Sequence, residues 1–408
     1  IRHTHLFHQM FFCAGHNILE HSPPSYFFNK IFHLLINLLS TIQPFRLRAR
    51  KGKVYCGIGY LFIGLFEKNY SYFRSMILVT GGTGLVGAHL LLHLIESQSI
   101  GKEKVRAIYR STSSMEKTKS LFSLYKKESL FEQIEWIQAD ITEVPSLEIA
   151  FQNIDTVYHC AAFISFDPKD EDELRKTNIE GTANIVNFCI DYHIKKLCFV
   201  SSIATLGDLL PHEKCITEET EWNPEKYHND YAISKYGAEM EVWRGQQEGL
   251  AVIIVNPGVI LGPGFNEQGS GQLFTKVKNG LKFYTLGTTG FVAVTDVVRI
   301  VHELMQSEIK NERFTLIAKN SVFRDILNSV ADALGVKRPK PYAKPFLMEI
   351  LWRLDWFVSN VFWQKRKLSK APARASYSVS IYSNQKIKDQ LQTDFIDIHQ
   401  YIKDISKL

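Results

Sequence analysis

Met76-Ile-Leu-Val-Thr-Gly-Gly-Thr-Gly-Leu-Val-Gly87 is an apolar run that passes into a glycine turn and out into a helical pattern. Ile77, Leu78 and Val79 have the character of a strand buried on both faces. Gly81, Gly84 and Gly87 then recur at a spacing of three. The first lets the chain turn tightly, the second lets backbone N–H groups approach a pyrophosphate, and the third permits close helix–strand packing. A helix from Leu85 to about Ser97, apolar at Leu90, Leu91 and Leu94, would aim its positive N-terminus at that phosphate. A glycine triplet alone is weak; this one has the strand before it and the helix after it that a dinucleotide site requires. Thr83, Leu85 and Val86 complete the turn and count with the three glycines as expected cofactor-binding residues.

Outward from the turn, strand and helix signals alternate, the mark of a doubly wound parallel sheet, the Rossmann fold. Val105–Tyr109, Ile134–Gln138, Thr156–Cys160, Leu197–Ser201 and Val252–Val255 read as further strands, with helices over about Glu171–Tyr192 and Asp230–Gln247. After Gly262-Pro263-Gly264 the elements shorten, so residues 76–264 are read as the dinucleotide-binding domain and 265–408 as a smaller substrate-side region. Within the latter, Phe346, Leu347, Ile350, Leu351, Leu354, Phe357, Val358 and Phe362 recur at helical spacing. The expectation is a helix packed over the core; the alternative is one lying at a membrane surface or lining entry for an apolar substrate.

The 408 residues, 45% of them hydrophobic, suffice for a large core. The net charge of +6 misleads when read globally. Residues 1–75 carry nine Lys/Arg against two acids, +7, which leaves −1 for residues 76–408 and no electrostatic case for nucleic acid. The preferred expectation for 1–75 is sequence lying outside the mature protein, with the frame opening at Met76. A peripheral membrane anchor and a poorly ordered extension are the alternatives. The apolar runs there are too short or too interrupted to span a bilayer. The six cysteines form no C-x-x-C pair and no metal spacing, so no metal site is expected; free thiols in a reducing, cytoplasmic setting are.

Tyr231-Ala-Ile-Ser-Lys235 places a phenol and an ammonium four residues apart on one helix face. A phenol titrates near 10, and a neighbouring positive charge is expected to lower that value and make a usable general acid/base. Ser201-Ser202 ends the fifth strand, where a hydroxyl could hold a substrate oxygen. Thr205 is expected to be structural, and Asp296 to cap a helix rather than act as an acid.

Taken in order, Thr80–Gly87, Asp140-Ile141, Asp155–Ala162, Asn178–Asn184, Ser201-Ser202, Tyr231-x-x-x-Lys235 and Asn256-Pro-Gly-Val259 resemble an extended short-chain dehydrogenase/reductase, the superfamily of NAD-dependent epimerases and dehydratases. The resemblance covers about residues 76–263. It implies that Ser202, Tyr231 and Lys235 form the catalytic triad, with Ser202 chosen over Ser201 by its distance to Gly207, and that Asn178 braces the site. It also implies that Asp140 and Ile141 meet the adenine, Ala161 and Ala162 the cofactor ribose, and Pro257, Gly258 and Val259 the nicotinamide end. A homodimer through paired helices is the assembly usual in that family.

An acid ending the second strand would favour NAD. Here the strand ends in Arg110-Ser111, with no carboxylate before Glu116, so NADP is expected over NAD, its 2′-phosphate on Arg110. Ile203-Ala204 stands where sugar-nucleotide dehydratases carry an Asp-Glu pair, and Val259 where sugar-nucleotide enzymes usually offer Asn. The chain is instead similar to the dihydroflavonol-reductase and 3β-hydroxysteroid-dehydrogenase branch, with Asn256 a departure where those relatives commonly have Arg. The implied activity is reduction of a carbonyl, or oxidation of the alcohol, on a small apolar substrate. Two alternatives stay open: an NAD-dependent nucleotide-sugar epimerase and a non-catalytic dinucleotide-binding regulator.

Overall fold

The computed structural model describes residues 75–97, 103–267, 269–361 and 369–408. The expectations for residues 1–74 and for Phe362 lie outside the described residues. Strand β1 (Ser75–Thr80) leads through the glycine turn into helix α1 (Leu85–Ser97). There follow β2 (Glu103–Tyr109), α2 (Thr112–Leu124), β3 (Glu135–Gln138) and β4 (Thr156–His159). Then come α3 (Gly181–Asp191), β5 (Lys196–Val200), α4 (Asp230–Gln247), β6 (Val252–Pro257) and β7 (Val259–Leu261). The last part holds β8 (Thr288–Ala293), α5 (Val294–Gln306), β9 (Glu312–Leu316), β10 (Lys319–Val322), α6 (Phe323–Ala333), α7 (Pro345–Val361) and α8 (Ile398–Ile405).

Seven strands form one sheet in the order β3-β2-β1-β4-β5-β6-β9, every neighbouring pair parallel. The order reverses at β1/β4, the switch point where a doubly wound sheet binds its ligand. The central strands are buried on both faces, which is why their sequences are continuously apolar rather than alternating. One face packs α1 and α5 through Leu90, Leu94, Val297, Ile300 and Val301; the other packs α3 and α4 through Ile185, Val186, Ala238 and Val242. A second, three-stranded sheet, β10-β8-β7, joins β7 from before Gly264 to two strands from after it, with α6 and α8 closing a core around Phe291, Ile326 and Ile402. The chain past Gly264 also returns to the large sheet, since β9 pairs with β6 from Ile253↔Glu312 to Pro257↔Leu316.

Three details differ from expectation. The helix over Glu171–Tyr192 is interrupted by a π-helical turn at Arg175–Glu180, a wide turn that swings Asn178 inward. Asp296 does not cap α5, whose cap position is Ala293; its carboxylate accepts from Arg299 (3.0 Å) and from the backbone of Ile396 (2.8 Å), clipping the C-terminal segment to α5. Most of the apolar residues of α7 face solvent instead of packing over the core. Only Met348 and its inward neighbours Leu351 and Trp352 reach the cluster of Ala343 and Ala373.

Candidate active site

Gly81 adopts a left-handed φ of +68°, and a Cβ there would stand 2.5 Å from the backbone nitrogen of Ala161. Gly87 lies so close beneath the turn that its Cβ would meet the Gly81 carbonyl oxygen at 2.1 Å. Gly84 is different. Its N–H donates to the Gly81 carbonyl at 3.0 Å, yet a Cβ would find only that oxygen, at 3.5 Å, and would otherwise project into an open cleft. That open space above a helix N-terminus is the cradle a pyrophosphate needs, so the residues fit a dinucleotide.

The cleft, about 250 Å³, runs from this turn along the carboxyl ends of β2, β3 and β4. Among the expected residues it is lined by Gly81, Thr83, Gly84, Arg110, Asp140, Ile141, Ala161 and Ala162. Leu85 and Val86 pack against the core on the α1 side, and Gly87 serves packing rather than lining. Pro257, Gly258 and Val259 do not line it either: a Cβ on Gly258 would strike Gly290 and Ile317, so that glycine answers to the packing of β8. One carboxylate oxygen of Asp140 is held by Thr142, through its N–H (2.9 Å) and its hydroxyl (2.8 Å).

At the adenosine end Arg110 is exposed, and Ser114 and Lys117 from α2 join it on the cleft wall. Among the described residues neither Arg110 nor Lys117 has an acidic partner. Ser114 and Lys117 escaped the sequence reading, although their spacing of three on the helix after Arg110 puts them on one face.

Asn229 caps α4 by accepting from the Ala232 N–H at 2.9 Å, which sets Tyr231 in the first turn, where the helix dipole favours negative charge. Burial nevertheless raises the Tyr231 phenol above its ordinary value, with the nearby Ser202 hydroxyl opposing part of the rise. The lowering expected from Lys235 is not what the structure displays. Lys235, 2% exposed, instead donates to the Val200 carbonyl at 2.9 Å and lies over the Phe199 ring at 4.2 Å. Desolvation brings its ammonium down to about 8, with Glu239 pulling the other way.

The two serines are distinguished by their partners. Ser201 donates to the buried carboxylate of Glu239 at 2.6 Å, whereas the Ser202 oxygen accepts only from the Ala204 N–H (3.1 Å). Asn178, 1% exposed, accepts from the Phe163 N–H (2.7 Å) and donates to the Phe163 carbonyl and to Ser234 (both 2.9 Å). It ties the loop after β4 to α4 and touches none of the reacting groups, so it is a brace. Cys160 lines the cleft, its thiol pushed up to about 12 by burial with Lys235 opposing the shift, whereas Ser202, Tyr231 and Lys235 are not among the lining residues. His159 is a strut, with its two ring nitrogens 2.6 Å from the Thr80 hydroxyl and 3.0 Å from that of Thr182.

Glu239 was missed, though it continues the spacing of four from Tyr231 and Lys235. It is fully buried and accepts from Ser201, Thr205 (2.7 Å) and Asn256 (2.9 Å), while Arg313 of β9 pairs with it at 3.1 Å. Thr205 is structural, as expected: its hydroxyl is spent on Glu239 and the Ser202 carbonyl. A second cavity, about 590 Å³ between Trp222, Tyr236, Trp243 and Arg313, contains none of the expected site residues.

Residues 77–316 match the NAD dependent epimerase/dehydratase family, and the chain belongs to that family. It is 27% identical over 274 residues to sterol demethylase protein B of Methylococcus capsulatus, covering 67% of this chain and 78% of that one. It is 28% identical over 270 residues to a putative dihydroflavonol 4-reductase of Synechocystis, 64% of this chain and 73% of the relative. Among solved structures, UDP-glucose 4-epimerase of Thermotoga maritima superposes with a TM-score of 0.63 at 20% identity, over 81% of this chain and 97% of that one, a likeness of fold.

Proposed function

We propose that this chain reduces a carbonyl on a small apolar molecule using NADPH, Tyr231 giving the proton. The observation that carries this is the arrangement of Ser202 after the end of β5 with Tyr231 and Lys235 one turn apart on α4, Lys235 buried against the Val200 carbonyl, in a sheet whose strand ends form a dinucleotide-shaped cleft. A bound nicotinamide dinucleotide supplies the hydride. Gly81 and Gly84 keep the backbone low enough for the pyrophosphate, and Arg110, Ser114 and Lys117 offer two cations and a hydroxyl to a 2′-phosphate. Ser202 orients the substrate oxygen, its own oxygen occupied by one backbone N–H and therefore fixed. Tyr231, held above the ordinary phenol value, is protonated at neutral pH and so stands as a donor, which fits the reducing direction. Lys235 stays largely protonated with a value of about 8, and its charge favours the phenolate as it forms. Relatives named as dihydroflavonol 4-reductases support a carbonyl substrate.

The test is a carbonyl panel assayed with NADPH and with NADH, first on the wild type and then on Tyr231→Phe. Binding of the dinucleotide should survive in the variant while turnover falls by at least about 100-fold, the usual worth of a positioned acid. Full turnover by Tyr231→Phe on any substrate overturns the assignment. Tighter NADH than NADPH binding overturns the cofactor preference alone.

A further inference from the structure

We propose that α7 docks on an anionic phospholipid surface through an outward apolar stripe. Phe346, Leu347, Ile350, Leu354, Phe357, Val358 and Val361 are all exposed, Phe346 to 76% and Phe357 to 57%. At about 100° per residue these seven fall within an arc of about 120° on the helix. The opposite side is already used. Met348 and Ser359 are buried, and Leu351, Trp352 and Tyr377 pack with Ala343 and Ala373. Glu349 anchors the flank, accepting from Tyr377 (2.7 Å), Trp352 (3.1 Å) and Arg353 (2.6 Å). The helix is therefore seated by one face and presents the other to whatever covers it.

Charge identifies the occupant. Residues 337–361 and 369–374 hold seven basic side chains (Lys337, Arg338, Lys340, Lys344, Arg353, Lys370, Arg374) against Glu349, Asp355 and the Asp332 that pairs with Arg338, a local +4 in a body, residues 76–408, that sums to −1. Lys337, Lys340 and Lys344 are exposed at the start of the helix, and no acid stands on the stripe. A second copy of this chain would set +4 against +4. An apolar stripe rimmed by cations suits the boundary between anionic headgroups and acyl chains, where such helices lie in the plane of the surface. Among the described residues no helix is long and apolar enough to cross a membrane, so the contact is one of lying on the surface.

The experiment is vesicle flotation of the full chain, with vesicles of phosphatidylcholine alone and of phosphatidylcholine with an equal part of phosphatidylglycerol. Binding is expected to the anionic vesicles, weakened by salt. The double variant Leu354→Ser, Phe357→Ser should lose at least about tenfold in partitioning, a scale set by removing two large apolar side chains from the contact. Lys340→Glu with Lys344→Glu should lose a similar factor on anionic vesicles only. Both pairs are exposed, and an unchanged melting curve checks the fold. Failure of the wild type to float with anionic vesicles overturns the proposal. So does undiminished binding of the serine variant, which would assign the contact to residues outside α7. A dimer of the wild type that the serine variant dissolves overturns it too, since the stripe would then face a second copy.

Discussion

Gly84 and Gly87 look alike in the sequence, and the structure predicts opposite consequences for the same substitution. Alanine at Gly87 puts a methyl 2.1 Å from the Gly81 carbonyl oxygen and 2.7 Å from its carbon, both backbone atoms of the glycine turn. Overpacking of this kind costs about 1–3 kcal/mol, more than the roughly 1 kcal/mol that alanine gains over glycine inside a helix. The melting curve of Gly87→Ala should therefore fall. Alanine at Gly84 meets only one protein atom, at 3.5 Å, an ordinary contact, and its φ lies outside the left-handed region. Restricting the unfolded chain should leave Gly84→Ala unchanged or stabilised by about 0.4–1 kcal/mol. Its methyl, however, fills the space above the turn. Dinucleotide affinity should drop at least tenfold, about 1.4 kcal/mol. Thermal unfolding and calorimetric titration with NADPH on the same preparations give both numbers. Wild-type affinity in Gly84→Ala would falsify the placement of the pyrophosphate, and equal destabilisation of the two variants would refute the geometry.

Other expectations follow from the buried charges. Lys235 titrates near 8 in the folded chain against 10.5 unfolded, so between those values the unfolded state holds more protons and stability rises with pH, by at most about 3 kcal/mol. Denaturant curves from pH 8 to 10.5 should show that rise in the wild type and not in Lys235→Met. His159 is brought down to about 3 by burial, so its contribution is complete above pH 6.5 and drains away as pH falls toward 3, by at most about 5 kcal/mol. His159→Gln should flatten that acid limb in the same measurement. Arg313→Ala strips the fully buried Glu239 of its cation and should cost about 3 kcal/mol, the lower end for a broken buried pair because three neutral donors remain. Combining it with Glu239→Gln should restore part of the loss in urea melts; strict additivity would mean that the two do not interact.

The sequence was most legible where chemistry and periodicity act locally. The glycine turn, the strands and α4, with bounds of Asp230–Gln247, follow from runs of a few residues. Ser202 stands just after β5 and Tyr231 in the first turn of α4, where the sequence pattern put them. Arg313 was illegible because its meaning depends on a pairing across the whole fold: β9 must come to lie beside β6 before its guanidinium finds Glu239. The same applies to Asn256. Its amide donates to Glu239 and Thr205, contacts that exist only once α4 has packed beside β6. The state of Tyr231 was misjudged for another reason. Spacing of four fixes which face a side chain occupies, but not which partner it takes, and Lys235 takes the carbonyl of Val200.

The last strand of the large sheet carries a consequence for how the protein comes into being. Everything that touches the cleft is encoded before Gly264, yet β6 has an open edge, and Glu239 no guanidinium, until residues 312–316 arrive. A nascent chain halted at Gly264 would expose one unpaired edge of an apolar strand, Val252–Pro257, to any other strand in its surroundings. The nucleotide-binding half is thus not a separable module. Its completion waits on the translation of some fifty further residues, and a chaperone or the ribosome itself has an edge to guard in the interval.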